Sequence, residues 1–237
     1  MATLDIIMTG FTGSDEIREM TERSIRSLRE SEGSEDFNII FLESNQESTH
    51  KYNVDHQIHP DFPYHCNKYY NIGIQYATSD FTGIVNNDTY FYKNWWTKMH
   101  AAMEKHSLDS ASPRSPVEQF GLIAQCEMKH RFTPPTRVVE GFLAAYTFCG
   151  WCWVIRKEVR EWLFPVDEQF SFYYNDNDVA MHLKDHGCKH ALVAGSLVEH
   201  YGQRSHKALH DRGEYYKHTF GLEKNFVDKW KHIFDKL

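Results

Sequence analysis

Phe81-Thr82-Gly83-Ile84-Val85-Asn86-Asn87-Asp88-Thr89 is the stretch on which the fold turns. Residues 83–85 are a short apolar run rich in β-branched side chains, the pattern of a buried strand. The run stops at two amides and a carboxylate, which cannot stay buried without partners. A carboxylate at the carboxyl end of a central strand stands where open α/β sheets bind ligands. Two later stretches carry matching chemistry: Tyr173-Tyr174-Asn175-Asp176-Asn177-Asp178, and Leu197-Val198-Glu199-His200. The expectation is that these three places form one site and that the rest of the chain is its scaffold.

Working outward, residues 3–9 read as the first strand and residues 10–13 as a turn. Ser14 caps a helix whose first turn holds Asp15 and Glu16, favourable at the positive end of the helix dipole. Ile17, Met20, Ile25 and Leu28 give that helix a buried stripe, and Gly33 ends it. Residues 37–42 form a second strand that ends at Glu43-Ser44-Asn45. Strand, helix and strand in this order make a βαβ unit, so the sheet begins parallel. A short strand is expected within 54–58, a helix over 66–77 and another over 95–105, with Trp96, Met99 and Met103 facing inward. Pro113 and Pro116 mark residues 107–118 as a loop. Residues 121–126 and 143–155 read as strands, the second interrupted by Gly150. Residues 128–140 between them read as a mobile loop over the site.

Further on, residues 157–163 and 179–186 read as helices, the second stopped by Gly187. Two short strands are expected around Ala191 and Leu197. The tail holds a helical segment over 212–218. A last amphipathic helix follows, with Leu222, Phe226, Trp230 and Phe234 at i+4 spacing. There is no repeat, low-complexity tract or linker. The organisation expected is one domain over 1–206 with a helical extension over 207–237 packed on it.

The chain has 237 residues, of which 41% are hydrophobic and 15% aromatic, enough for a core built on Phe, Tyr and Trp and against disorder. Net charge is −7. Residues 200–237 hold 8 Lys/Arg against 5 Asp/Glu, and the remainder 18 against 28. This basic end reads as a solvated helical face, or as a contact for an anionic partner. Five irregularly spaced cysteines and the polar start of the chain point to a reduced, cytoplasmic protein. No apolar run reaches the length of a membrane span.

Asp after a strand is commonly a turn former, but Asn86-x-Asp88 directly after an apolar strand offers hard oxygen ligands suited to a divalent cation. Such a cation neutralises charge on a departing diphosphate. His200 closes a strand, and an imidazole beside a carboxylate favours manganese over magnesium. Asp178 fits the N-cap of the helix over 179–186, leaving Asp176 to project into the cleft and take a proton from an attacking hydroxyl. Cys149-Gly150-Trp151-Cys152 has thiol-redox spacing but falls in a strand region, where the helix that lowers a thiol pKa is missing. His182-x-x-x-His186 lacks the glutamate of a zinc protease and reads as surface histidines. Trp95, Trp96, Trp162 and Trp230 read as core, whereas Trp151 and Trp153 stand just after Gly150 beside the expected cleft.

These pieces, in this order, resemble a GT-A fold glycosyltransferase of family 2. The resemblance rests on the strand and turn over 6–11, Glu43-Ser44-Asn45, Asn71-Ile72-Gly73, Val85-Asn86-Asn87-Asp88-Thr89, Gly150-Trp151-Cys152-Trp153, Asp167-Glu168, Tyr174-Asn175-Asp176-Asn177-Asp178 and Val198-Glu199-His200-Tyr201-Gly202. It covers residues 3–206. It implies an α/β fold with a mixed, mainly parallel sheet flanked by helices and followed by a helical tail. Asp88 and His200 would hold Mn2+ or Mg2+ on the two phosphates of a nucleotide sugar, a UDP-sugar in this family. Thr9, Gly10 and Glu43 would border the nucleoside, Lys68 or Asn71 would reach the phosphates or ribose, and Asn86 would lie beside them. Asp176 would be the general base of an inverting displacement. The family places Glu where Asn175 stands, which leaves Asp178 as a substitute base. Trp151 and Tyr174 would face the acceptor, a glycan or, by similarity in size to small phage-encoded sugar transferases, a hydroxymethylated DNA base. A phage origin would place the protein in the host cytoplasm. The alternative is a catalytically inactive module of the same fold that binds a glycan or nucleotide. The sequence leaves the sugar, the acceptor and the oligomeric state open.

Overall fold

The structure, a computed structural model, describes residues 4–33, 37–116, 137–201 and 212–235. Its centre is a nine-stranded mixed sheet. β1 (Leu4–Gly10) pairs in parallel with β2 (Asn38–Glu43) on one side and β4 (Phe81–Asn86) on the other. β3 (His56–Ile58) extends this parallel edge along β2. On the far side of β4, β8 (Cys152–Arg156) runs antiparallel to both β4 and β6 (Ser110–Arg114). β9 (His190–His200) lies parallel to β6; β7 (Val138–Glu140) joins its first half and β5 (Thr89–Phe91) its last three residues, both antiparallel.

Alternation along the strands builds two cores. Ile6 and Met8 of β1 face α1 (Asp15–Ser31) and α3 (Trp95–His106), packing with Ile25, Leu28, Trp95 and Met99. Ile7, between them, points the other way, toward α2 (Cys66–Gly73), α4 (Lys157–Leu163) and α5 (Asn175–Asp185), with Tyr69, Val159 and Leu183. A third cluster forms where α6 (Arg212–Phe234) lays Leu222, Phe226 and Trp230 on Phe170. Phe234, at the end of that i+4 series, is exposed.

Buried polar groups hold the frame. Ser14 accepts from the Ile17 amide at 3.3 Å, the expected cap. Glu32 caps α3 from a distance, accepting from the Trp96 amide at 2.7 Å and the Thr97 hydroxyl at 2.6 Å. Asp5, fully buried, accepts from the Thr78 and Ser79 amides at 2.6 and 2.7 Å and from Asn38 at 2.7 Å. His190 donates from Nε2 to the Thr147 carbonyl at 2.9 Å and accepts from the Ser110 hydroxyl at 2.7 Å, fixing the segment before β8. Burial lowers its pKa to about 4, so it is neutral at neutral pH.

Several elements differ from the sequence reading. Pro113 lies inside β6, not in a loop. The strand tolerates it because β8 pairs only with Ser110 and Ala111, and a register shift follows Pro113. The expected strand over 143–155 begins only at Cys152, since residues 143–149 close on themselves as turns. The two strands around Ala191 and Leu197 are one strand of 11 residues, and the two tail helices are one of 23. β5 went unread because three residues are too few to display a period. The strand expected over 121–126 and most of the loop over 128–140 lie outside the described residues. The described end of that loop, Val138–Glu140, is a strand.

Candidate active site

The first half of the site is made where β4 ends. Asn86 is the last residue of β4, and its amide donates to the Trp151 carbonyl at 2.9 Å. Asn87 turns back onto α1 and donates to Thr21 Oγ1 at 2.8 Å. Its amide group lies so close over Gly10 that a Cβ there would come within 2.5 Å of Asn87 Nδ2. Thr89 is tied to Ser24 of α1 at 2.9 Å. With both neighbours held by α1, alternation sends the Asp88 side chain the opposite way. It meets His200, with Oδ1 3.1 Å from Nε2, across a register in which Thr89 pairs with His200. The Tyr201 amide closes the join by donating to the Asp88 carbonyl at 2.9 Å. Asn86 Nδ2 lies 3.5 Å from the same imidazole nitrogen.

A divalent cation fits this pair. Two cis ligands at about 2.1 Å from an octahedral ion stand roughly 3 Å apart, close to the observed 3.1 Å. Two protein ligands leave positions for diphosphate oxygens and water, the usual arrangement at nucleotide sites. Among the described residues no group of three or more His, Cys, Asp and Glu side chains is placed to hold a metal, so the fit rests on the pair.

The second half is the start of α5. Its N-cap is Tyr174 at φ 61°, and the helix begins at Asn175, four residues before the sequence reading placed it. Asp176 is therefore already helical, and the Asn177 amide donates to its Oδ1 at 2.9 Å. The carboxylate stands against the backbone of Gly150: a Cβ on Gly150 would lie 2.5 Å from Asp176 Oδ2. Burial pushes the Asp176 carboxyl above the ordinary carboxylate range. Nearby on α2, burial raises the Cys66 thiol to about 11 and the Tyr70 hydroxyl further, so neither is charged at neutral pH.

One dipeptide joins the two halves. Gly150 touches Asp176, and Trp151 stacks on His200 with ring centroids 5.2 Å apart and planes 9° from parallel. The interruption at Gly150 was visible in the sequence, but its contact with Asp176 needs the third dimension.

The other expected site residues take varied places. Thr9 Oγ1 lies 3.2 Å from Tyr64 Oη, a neighbour the sequence reading missed. Gly10 lies beneath Asn87, and its carbonyl accepts from the Ser44 amide at 2.9 Å. Glu43 is fully buried and braces the turn after β1, accepting from the Thr12 amide at 3.1 Å, the Thr12 hydroxyl and the Asn45 amide at 2.8 Å. The Lys68 ammonium lies 5.6 Å from the Phe62 ring centroid. Asn71 is engaged elsewhere: its amide donates to the Val166 carbonyl at 2.9 Å and accepts from the Val166 amide at 2.8 Å. Tyr174 packs on Phe226 of α6 with centroids 5.3 Å apart.

Asp178 is neither an N-cap nor placed as a second base. It lies 1% exposed in the first turn of α5, accepting from Lys229 Nζ at 2.9 Å and Trp230 Nε1 at 2.8 Å. Two residues along a helix is a rotation of about 200°, so Asp178 and Asp176 leave opposite sides. Trp162, expected in the core, is 38% exposed and stacks on His186 at 4.1 Å. Burial raises the Cys152 thiol well above its ordinary range, the reverse of a redox cysteine. Among the described residues no helix is long and apolar enough to cross a membrane.

Comparisons with known proteins agree with this architecture. No curated protein matches the chain in sequence. Residues 1–349 of TarS from S. aureus share the fold with a TM-score of 0.59 and 11% identity, over 83% of this chain and 59% of that one. GalNAc-T7, whose crystal structure contains UDP, GalNAc and Mn2+, aligns with a TM-score of 0.62 and 13% identity, over 84% of this chain and 43% of that one. This chain thus spans about half the length of either structure. The sequence model of glycosyl transferase family 2 matches residues 14–164, more than half of the chain. The chain belongs to glycosyl transferase family 2.

Proposed function

We propose that this chain transfers a sugar from a nucleoside diphosphate sugar, a UDP-sugar, to an acceptor hydroxyl, with Asp88 and His200 holding Mn2+ and Asp176 acting as general base. The observation that carries the reading is the Gly150-Trp151 junction, which puts a carboxylate of raised pKa beside the carboxylate–imidazole pair. A base poised above the ordinary carboxylate range holds a proton more readily, which suits general base work near neutral pH. Family membership and a GT-A neighbour containing UDP and Mn2+ support the donor and metal classes.

In this reading the acceptor O–H gives its proton to Asp176, the oxygen attacks the anomeric carbon, and the bond from that carbon to the diphosphate breaks. Asp88 and His200 would hold the divalent cation, which would neutralise charge on the leaving phosphates. Trp151, fixed against His200, forms the wall between the two halves and the acceptor side of the cleft. A single displacement inverts the anomeric carbon, and NMR of the product reads its configuration; a retained configuration removes Asp176 as the base of one direct step.

The first experiment is calorimetric titration of UDP with and without manganese, into the natural protein and Asp88→Ala. Binding that requires manganese and disappears in Asp88→Ala is the expected outcome. Binding indifferent to manganese, or unchanged by the substitution, overturns the assignment of the metal pair. No binding at all favours an inactive module of the same fold.

A further inference from the structure

We propose that the tail helix α6 is the positioning element for the general base: Lys229 and Trp230, acting through Asp178, set the rotation of α5 that aims Asp176 at Gly150. The inference rests on the reading of Asp176 as the base and adds to it residues far outside the span matched by the family model, 14–164.

Val179, Ala180 and Leu183 seat one face of α5 in the core and Asn175 hydrogen-bonds Tyr70, but the cap that opens the helix is weak. Its N-cap residue Tyr174 adopts φ 61° and makes no side-chain capping bond. A non-glycine residue in the left-handed region is strained and persists only where its surroundings hold it. Here the Tyr174 ring lies on Phe226 of α6, and Phe226 in turn contacts Phe170, which is fully buried. The Asp178 amide donates back to the Tyr174 carbonyl at 2.8 Å and closes the first turn.

The azimuth of that turn is set from its far side. Asp178 is 1% exposed, and a buried carboxylate requires donors. Both strong donors come from α6: Lys229 Nζ at 2.9 Å and Trp230 Nε1 at 2.8 Å. His182, one turn along α5, adds an imidazole nitrogen at 3.6 Å. Lys229 is itself held by Asp167 at 2.8 Å. The indole N–H is a single directional bond, so it fixes where Asp178 points as well as that it is satisfied. Because Asp176 leaves the helix about 200° around from Asp178, fixing one fixes the other. On the cleft side Asp176 meets Gly150 so closely that a small rotation would either separate them or make them collide. Asp176 has the neutral Cys66 and Tyr70 of α2 and the amides of its own helix around it. Core packing of Val179, Ala180 and Leu183 seats α5, and α6 adds the donors that fix the rotation of its first turn.

The test uses Trp230→Phe, alone and combined with Lys229→Met, in the full chain. The first readout needs no substrate: the Asp176 carboxyl carbon is followed by NMR through a pH titration and assigned by its loss in Asp176→Asn. The second is manganese-dependent release of UDP from UDP-glucose, UDP-galactose, UDP-GlcNAc and UDP-GalNAc. The expected result is an Asp176 titration shifted toward the ordinary carboxylate range. With it, kcat falls roughly ten- to a hundredfold while UDP affinity stays the same, since a small misplacement of a reacting group has that effect. Restoration by Lys229→Arg in place of Lys229→Met follows from the same argument. Trp230→Phe keeps the aromatic packing, so it carries the test alone should the double variant not fold. An unchanged Asp176 titration overturns the inference whatever the enzymology. A shifted titration together with full kcat in Asp176→Asn overturns the reading of the base, and the catalytic part of this inference with it.

Discussion

The end of β4 and the start of α5 each present one candidate carboxylate, Asp88 and Asp176, and they are held in different ways. At the end of β4, Asp88 sits within a ladder: β1 and β8 flank the strand, β5 continues it against β9, and α1 binds the residues on either side. Many backbone bonds fix its position, and no single side chain carries the geometry. At the start of α5 the first amides have no ladder to join. Their arrangement depends on a strained cap, on the core packing of Val179 and Ala180, and on two donors from α6. The Asp88 end is built into the sheet, and the Asp176 end is tied also to the tail helix. Single substitutions are therefore expected to disturb chemistry at the second place more readily than at the first.

The largest effect is expected from Asp176→Asn. General base catalysis contributes about 10²–10⁴-fold, so kcat falls by that order while manganese-dependent UDP binding stays. The pH profile follows from burial. With Asp176 as the base, the natural protein is expected to lose activity as pH falls through the raised pKa of Asp176, because the protonated acid accepts nothing. Stability runs the other way. A carboxyl whose folded pKa is raised contributes stability at low pH that is lost as pH rises through that value. Asp176→Asn removes this loss, so its Tm at neutral pH rises above that of the natural protein. Thermal melts at pH 4 and pH 7.5 check the sign: an equal difference at both pH values breaks the assignment of a raised pKa.

Asp178→Ala should lose stability together with the aim of Asp176, where Asp176→Asn loses the base itself, although only two residues separate them. It leaves the Trp230 N–H without its acceptor and Lys229 with Asp167 alone. Losing a buried charged partner costs on the order of 2–4 kcal/mol, with the lower part applying because Lys229 retains some contact with solvent. Urea unfolding reads it directly. A change below about 0.5 kcal/mol, the range of ordinary surface substitutions, would mean that α6 is not anchored by this carboxylate.

The same contrast explains what could be read from the chain itself. The first half of the fold was legible because its signals are local: a capped amphipathic helix between two apolar strands fixes a parallel βαβ unit wherever it occurs. Asp88 and His200 were legible as strand ends. The second half was misread where pairing partners are distant. Pro113 reads as a loop breaker until β8 is seen to leave it unpaired, and three-residue β5 acquires its identity only from β9. Asp178 fits an N-cap by position alone, and nothing near it in sequence announces Lys229 and Trp230, more than fifty residues later. Glu43 and Asn71 show a related limit. A polar residue at a strand or helix end has the same sequence signature whether it faces a ligand or braces a loop.

The smallest effect is expected at the Asp88 end. Asn87 donates one hydrogen bond to Thr21 Oγ1, and Thr21 itself donates to the Ile17 carbonyl at 2.8 Å. Asn87→Ala therefore removes a bond and a contact over Gly10 but leaves no buried donor stranded. The cost in stability is about 1 kcal/mol. The ladder that carries Asp88 does not pass through the Asn87 side chain, and neither does the Tyr201–Asp88 backbone bond. Manganese-dependent UDP affinity should accordingly shift by no more than about threefold, under 1 kcal/mol. Loss of UDP binding in Asn87→Ala with an unchanged Tm would show that side chains, not the sheet, aim Asp88. The two ends of the site would then be held in the same way after all.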